Sequence, residues 1–196
     1  MTSVYVDTET SGIDPTRHAV IEVGAIVVSP DGQAIARYSA LANPGEQALV
    51  NSDPRAFEVN GIDLAAVRSA KPSADVAAEF RAWLDTYEAM LHAFPNSFEQ
   101  GFLMRGPWII TRPWGPCIMT LAQEEMGRAG VLPLVYGKPK YPKLIEAAAF
   151  YKVPVPRSHR ALPDAVTTAR IHRAILGRRK TEVAEDEARQ TLEDTA

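Results

Sequence analysis

Apolar and polar positions alternate from the first residues of the chain. Val4 and Val6 fall on one face of a strand and Tyr5 and Asp7 on the other, which predicts a strand over Ser3 to Asp7. Gly12 and Asp14-Pro15 mark a loop. Val20 to Ser29 is rich in β-branched residues and reads as a second strand, Pro30-Asp31-Gly32 as a turn, and Gln33 to Leu41 as the returning strand. The chain is therefore expected to open with an antiparallel meander. Asn43 to Pro54 reads as a loop, with short helices expected over Asp53–Asn60 and Asp63–Arg68. Pro72 opens a helix to about Glu88, with Val76, Phe80, Trp83, Leu84 and Tyr87 at helical spacing.

Beyond that helix, short strands alternate with helices. Ala89–Phe94 and Trp108–Thr111 read as strands, while Ser97–Arg105, Pro116–Ala129, Tyr141–Tyr151 and Ala161–Leu176 read as helices. A Gly/Pro-rich loop is expected over residues 130–142 and a Pro-rich one over Lys152–Ser158, with Gly177 ending the last helix. The expected architecture is one α/β domain: a mixed five-stranded sheet, antiparallel meander first and parallel strands after, flanked by helices. Residues 1–177 would form the domain and 178–196 a charged, flexible tail.

A chain of 196 residues that is 46% hydrophobic can bury one sizeable core. The single cysteine, Cys117, gives no internal disulfide and no metal–thiolate site, and it is expected to be buried at the head of an apolar helix. With no leader-like start and no apolar run long enough to span a membrane, a cytoplasmic protein is expected. The net charge of −3 conceals an asymmetry: residues 1–100 carry −8, residues 101–180 carry +10 and the last 16 carry −5. The basic stretch reads equally as a phosphate-contacting surface or as cations scattered over helix faces.

Two acidic motifs carry the candidate chemistry. Asp7 and Glu9 in Val4-Tyr5-Val6-Asp7-Thr8-Glu9-Thr10 are two apart, so a strand would place both carboxylates on one face, roughly 7 Å apart at Cα. Such anions repel, and a hard divalent cation would offset them. In His159-Arg160-Ala161-Leu162-Pro163-Asp164-Ala165 a histidine precedes a helix whose first turn holds a third carboxylate. Taken singly, Asp7 and Glu9 read as loop acids, Asp164 as a helix-dipole partner and His159 as a solvated histidine. Together they read as a metal site with a base, His159, able to take a proton from water.

Asp-Thr-Glu-Thr near the start and His-x-Ala-Leu-x-Asp-Ala near the end resemble the DnaQ-like 3′–5′ exonucleases, in the branch that uses histidine (DEDDh). The resemblance runs over about residues 3–176, with Ile21-Glu22-Val23-Gly24-Ala25 similar to the family's second strand, Asn60-Gly61-Ile62 to a segment lining its nucleotide pocket, and Lys143-Leu144 onward to the helix before the histidine motif. It implies a ribonuclease H-like fold and two divalent metal ions, Mg2+ or Mn2+. Asp7 would bridge both ions, Glu9 and Asp164 would complete one of them, and His159 would act as general base. Thr10, Gly61, Ile62 and Phe98 would contact substrate. The implied activity is 3′–5′ removal of nucleoside 5′-monophosphates from single-stranded DNA or RNA ends, DNA favoured, with no membrane involved and a polymerase partner left open.

The chain departs from the family pattern at its middle motif. Phe98-Glu99-Gln100-Gly101-Phe102-Leu103 fits the frame, but the acid is Glu99 rather than aspartate, and Pro95 stands where an asparagine is usual. Glu99 is a candidate catalytic acid with a surface helix acid as its alternative, and His92 reads as structural. Trp108 and Trp114 could stack bases, with core packing the better reading. Arg157 and Arg160 could touch phosphate or be solvated loop residues. Two other classes stay open. One is a degenerate relative that binds nucleic acid or a polymerase without cutting. The other is a haloacid dehalogenase-like phosphatase with Asp7 as nucleophile, which leaves the His159–Asp164 motif unaccounted for.

Overall fold

The computed structural model describes residues 2–155 and 159–194, with side chains in the final helix described through Thr181 and at Ala184. The first strand, β1 (Ser3–Thr10), is longer than the alternation predicts and carries both Asp7 and Glu9. It pairs antiparallel with β2 (Val20–Val28), which pairs antiparallel with β3 (Ala34–Leu41). The helices α1 (Glu46–Val50), α2 (Pro54–Asn60), α3 (Leu64–Ser69) and α4 (Ser73–Asp85) follow. The segment expected to be a loop after Asn43 thus holds a short helix, α1. Next, β4 (Met90–His92) returns parallel to β1, giving a mixed sheet of order β3-β2-β1-β4.

The sheet has four strands, not the expected five. Trp108–Thr111 forms no strand, and only an isolated bridge, Leu91 to Trp114, occupies the fifth position. Pro107, Pro113 and Pro116 crowd this segment, and a proline has no N–H to give a ladder. Helices α5 (Asn96–Leu103) and α6 (Ile118–Arg128) come next. The expected loop 130–142 contains a small hairpin, β5 (Leu134–Val135) and β6 (Lys138–Pro139). The last helices are α7 (Leu144–Phe150) and α8 (Ala161–Asp194). The final helix does not stop at Gly177 but continues through the segment expected to be a tail. That glycine has no positive φ, and a lone helix-interior glycine costs only about 1 kcal/mol, too little to break a helix.

Alternation along the strands divides the core into two layers. Val4, Val6, Val23, Ala25 and Val27 face α4 and α5 through Phe80, Leu84, Phe102 and Leu103. Tyr5 and Ile26 face α6, α7 and α8 through Ile118, Met126, Ala148, Ile171 and Ile175. Because β2 is covered on both faces, it reads as a nearly unbroken apolar run. Trp108 packs in the first layer, as its apolar setting suggests, whereas Cys117 is only half-buried, preceding α6. His92 is buried, stacked on Tyr5 and bonded to the Pro116 carbonyl, a structural role.

Candidate active site

The carboxylates meet where α8 begins over the sheet. Alternation puts Asp7 and Glu9 of β1 on the same face as Tyr5, the face that α8 covers. Across the ladder Asp7 pairs with Gly24 and Glu9 with Glu22, and the register shifts between Glu9 and Thr10. A Cβ at Gly24 would lie 2.1 Å from the Leu162 nitrogen and 2.4 Å from the Ala161 carbonyl carbon. Only a glycine lets the start of α8 lie this close to β2, and that approach carries Asp164 to the strand. Ligand oxygens of Asp7, Glu9 and Asp164 all lie within 4.8 Å of one another.

Glu22 fastens the helix in place. It is the sole charged residue of β2 and is buried. The Arg160 guanidinium donates to both its oxygens, Nε at 2.9 and 3.1 Å and Nη2 at 2.5 Å. The Ala161 N–H donates to it at 3.1 Å, so a strand carboxylate caps the first turn of α8. Arg160 is thus committed to Glu22, a role distinct from phosphate contact or free solvation. Arg157 lies outside the described residues. His159 sits at the mouth of the helix, exposed, with φ at 59°, a conformation held by its N–H donating to Asp164 Oδ2 at 2.8 Å.

Glu99 is not a surface acid. It is 2% exposed, and Thr8 Oγ1 donates to it at 2.6 Å. The β4 pairing stops at Tyr5, so β1 runs on past it, and α5 brings Glu99 beside that free stretch. Asn96, one residue after Pro95, has its amide committed to the Ala93 N–H and the Gly115 carbonyl. Of the other sequence candidates, Thr10 is buried with its hydroxyl on the Gly12 carbonyl, and Phe98 is half-buried against Phe102. Gly61 adopts a left-handed conformation (φ 63°) as the cap of α2, and Ile62 packs with Ile21, Leu49 and Val67. Both lie in the link between α2 and α3.

The pocket is short of positive charge. Burial, then Glu99, Glu9, Asp164 and Glu22, push the Asp7 carboxyl well above the usual range. Glu9 is pushed up to about 8 by burial and by Asp164 and Glu22, with Arg160 opposing. Glu99 is pushed up to about 8, chiefly by burial, against the hydrogen bond from Thr8. Asp164 is raised by burial, opposed by its His159 hydrogen bond and charge. Asp164 Oδ1 is buried and has no hydrogen-bond partner among the described residues. An orphaned oxygen beside two further converging carboxylates is the donor set a hard divalent cation takes, so the residues present fit such an ion.

Sequence reasoning assigned no role to Glu22, Gly24 or Thr8. The signal for the first two was available: a charged residue and a glycine interrupt an otherwise apolar strand.

A mixed sheet between helical layers, with an acidic pocket at the start of the last helix, is a ribonuclease H-like fold. The RNase T exonuclease family model matches residues 4–172, and the chain belongs to that exonuclease family. Curated relatives include the PolC-type DNA polymerase III of Bacillus subtilis, 28% identical over 171 residues, and that of Thermotoga petrophila, 28% identical over 174. These matches take 86% and 87% of this chain but only 11% of each polymerase. Among solved structures, Escherichia coli exonuclease I in complex with a dT13 oligonucleotide superposes with a TM-score of 0.73 at 17% identity, over 95% of this chain and 43% of that one. Cell-death related nuclease 4 gives 0.71 at 16% identity, over 90% and 64%. No described helix is long and apolar enough to cross a membrane.

Proposed function

We propose that the protein is a 3′–5′ exonuclease acting on single-stranded nucleic acid ends, DNA by preference, and releasing nucleoside 5′-monophosphates. The observation that carries this reading is the convergence of Asp7, Glu9 and Asp164, with Asp164 Oδ1 unpaired. Asp7, Glu9 and Asp164 would hold two divalent cations, Mg2+ or Mn2+, which supply Lewis-acid activation of water and neutralise charge on the phosphate. His159, exposed at the mouth of the pocket, accepts the proton of the attacking water. Its backbone bond to Asp164 fixes it beside that carboxylate. Glu99, held by Thr8, completes the acidic wall beside Asp7. The polymerase relatives and the oligodeoxynucleotide complex of exonuclease I favour DNA, and a polymerase partner is part of the same proposal.

The test is a gel assay on 5′-labelled DNA and RNA strands of one sequence with magnesium, manganese or EDTA. A ladder shortening from the 3′ end, absent in EDTA and in Asp164→Ala, supports the reading, and the faster strand identifies the sugar. No cleavage with either metal refutes it. A binding-only relative draws on one observation, that Glu99 stands outside the three converging carboxylates. Equal rates for Glu99→Asp, Glu99→Gln and the parent would remove Glu99 from the site.

A further inference from the structure

The β5–β6 hairpin stands between α6 and α7, and no part of the proposed chemistry uses it. Its base is firmly seated. A Cβ at Gly127 would lie 2.7 Å from Pro139 Cγ, so the hairpin rests directly on α6. Gln123 Nε2 donates to the Pro139 carbonyl at 2.5 Å, and the Lys140 N–H donates to the Pro133 carbonyl at 3.0 Å. The tip is a two-residue loop, Tyr136-Gly137, with φ of 50° and 77°. Positive φ at both positions marks a type I′ turn, which selects asparagine or glycine at the first of them. A tyrosine there is conformationally unfavourable, and the residue is fully exposed.

Between the hairpin and α6 runs an open groove of about 1160 Å³. It is lined by two aromatic rings, Tyr136 and Tyr141, and three cations, Arg128, Lys138 and Lys140. Its one carboxylate, Glu124, faces Arg179 of α8 at 3.5 Å. Lys140 is paired with Glu146 at 2.7 Å, whereas Arg128 and Lys138 make no ion pair among the described residues, and no acidic residue occurs from Ala129 through Lys143. Exposed rings interleaved with unpaired cations are what a single strand needs: faces for bases and charges for its phosphates.

We propose that this groove is a second, non-catalytic binding site for single-stranded nucleic acid, with Tyr136 stacking on a base and Arg128 and Lys138 meeting the backbone. It lies some distance from the carboxylates. Arg179, which reaches the α6 end of the groove, is fifteen residues along α8 from Asp164, or about 22 Å. The groove therefore holds the strand several nucleotides from the end being cut. This rests on the nucleic-acid substrate proposed above.

The experiment is fluorescence anisotropy of a 5′-labelled thymidylate strand of about 20 nucleotides against the full chain in EDTA, where binding is read without cleavage. Tyr136→Asn suits the turn better than tyrosine does, so it should raise thermal stability while weakening binding about ten-fold. Lys138→Ala should weaken binding and flatten its salt dependence. With metal present, Tyr136→Asn should raise KM on the long strand and leave kcat unchanged, and KM on a strand of about four nucleotides should not move. Oligonucleotide binding that needs Tyr136, in a protein that never cuts, would sink the nuclease reading and leave the groove standing. Unchanged affinity and KM in both variants overturns the groove alone.

Discussion

Gly24→Ala places a methyl group against backbone that cannot swing aside. The added carbon would lie 2.1 Å from the Leu162 nitrogen and 2.5 Å from its Cα, where ordinary contacts begin near 3.4 Å. The first turn of α8 must then retreat from β2 by more than an ångström, taking Asp164 away from Asp7 and Glu9 and stretching the Glu22 cap. Overpacking of this kind costs about 1–3 kcal/mol in stability. A misplacement of about 1 Å among reacting groups lowers rates by about 100-fold. Thermal unfolding and the rate of shortening of a labelled strand would be measured side by side with Gly177→Ala. That residue lies in an exposed stretch of the same helix with nothing near its Cβ, so alanine there should stabilise by about 0.5–1 kcal/mol and leave the rate alone. If Gly24→Ala kept the parental rate, the close approach of α8 to β2 would not be what sets the carboxylate geometry.

The remaining expectations concern charge. Glu9 and Glu99 titrate near 4.5 when unfolded and near 8 when folded, so between those values the folded chain binds more protons. Metal-free protein should therefore lose stability as pH rises through that window, by several kcal/mol in urea titrations, and divalent cation should restore it most at the alkaline end. A metal-free protein equally stable at about pH 5 and pH 8 would contradict this. His172 acts in the opposite sense: burial and His92 lower it to about 4, so stability is also lost as pH falls from 6.5 toward that value. In EDTA at about pH 8, Glu99→Gln should raise the unfolding midpoint, the reverse of what removing a hydrogen-bonded side chain usually does, and the gain should vanish near pH 4. Arg160→Met leaves Glu22 buried with its cation gone and should cost about 3 kcal/mol, whereas joining it to Glu22→Gln should recover part of that in a double-mutant cycle.

The features legible in the sequence were those set by local spacing. Val4 to Asp7 announce a strand, the two-residue spacing of Asp7 and Glu9 puts both carboxylates on one face if that strand runs on, and the helix starting near Asp164 follows from its own pattern. What brings Asp164 to that strand is Gly24, a contact between residues far apart in sequence, and spacing carries no trace of it. Glu22 was visible only as a misfit in an apolar strand, and its partner Arg160 read as a phosphate contact or a solvated loop residue because its real partner lies 138 positions away. The fifth strand failed because local propensity over Trp108–Thr111 counted side chains while the prolines around them removed the ladder N–H groups. Glu99 read as ambiguous because its burial depends on β4 stopping short of the end of β1.

Because Asp7 and Glu9 lie on β1 and Asp164 on α8, the pocket's parts are synthesised in a fixed order. A growing chain makes β1 well before α8, and that strand can enter the sheet with β2 and β3. The pocket is not closed until α8 has been made and has docked on Gly24, the slowest kind of contact to form because so long a loop must be brought together. A nascent or truncated chain lacking its last helix therefore carries two of the three converging carboxylates, and its His159 has no Asp164 to bond. On this layout, the three-carboxylate pocket exists only once the helix that carries Asp164 has docked.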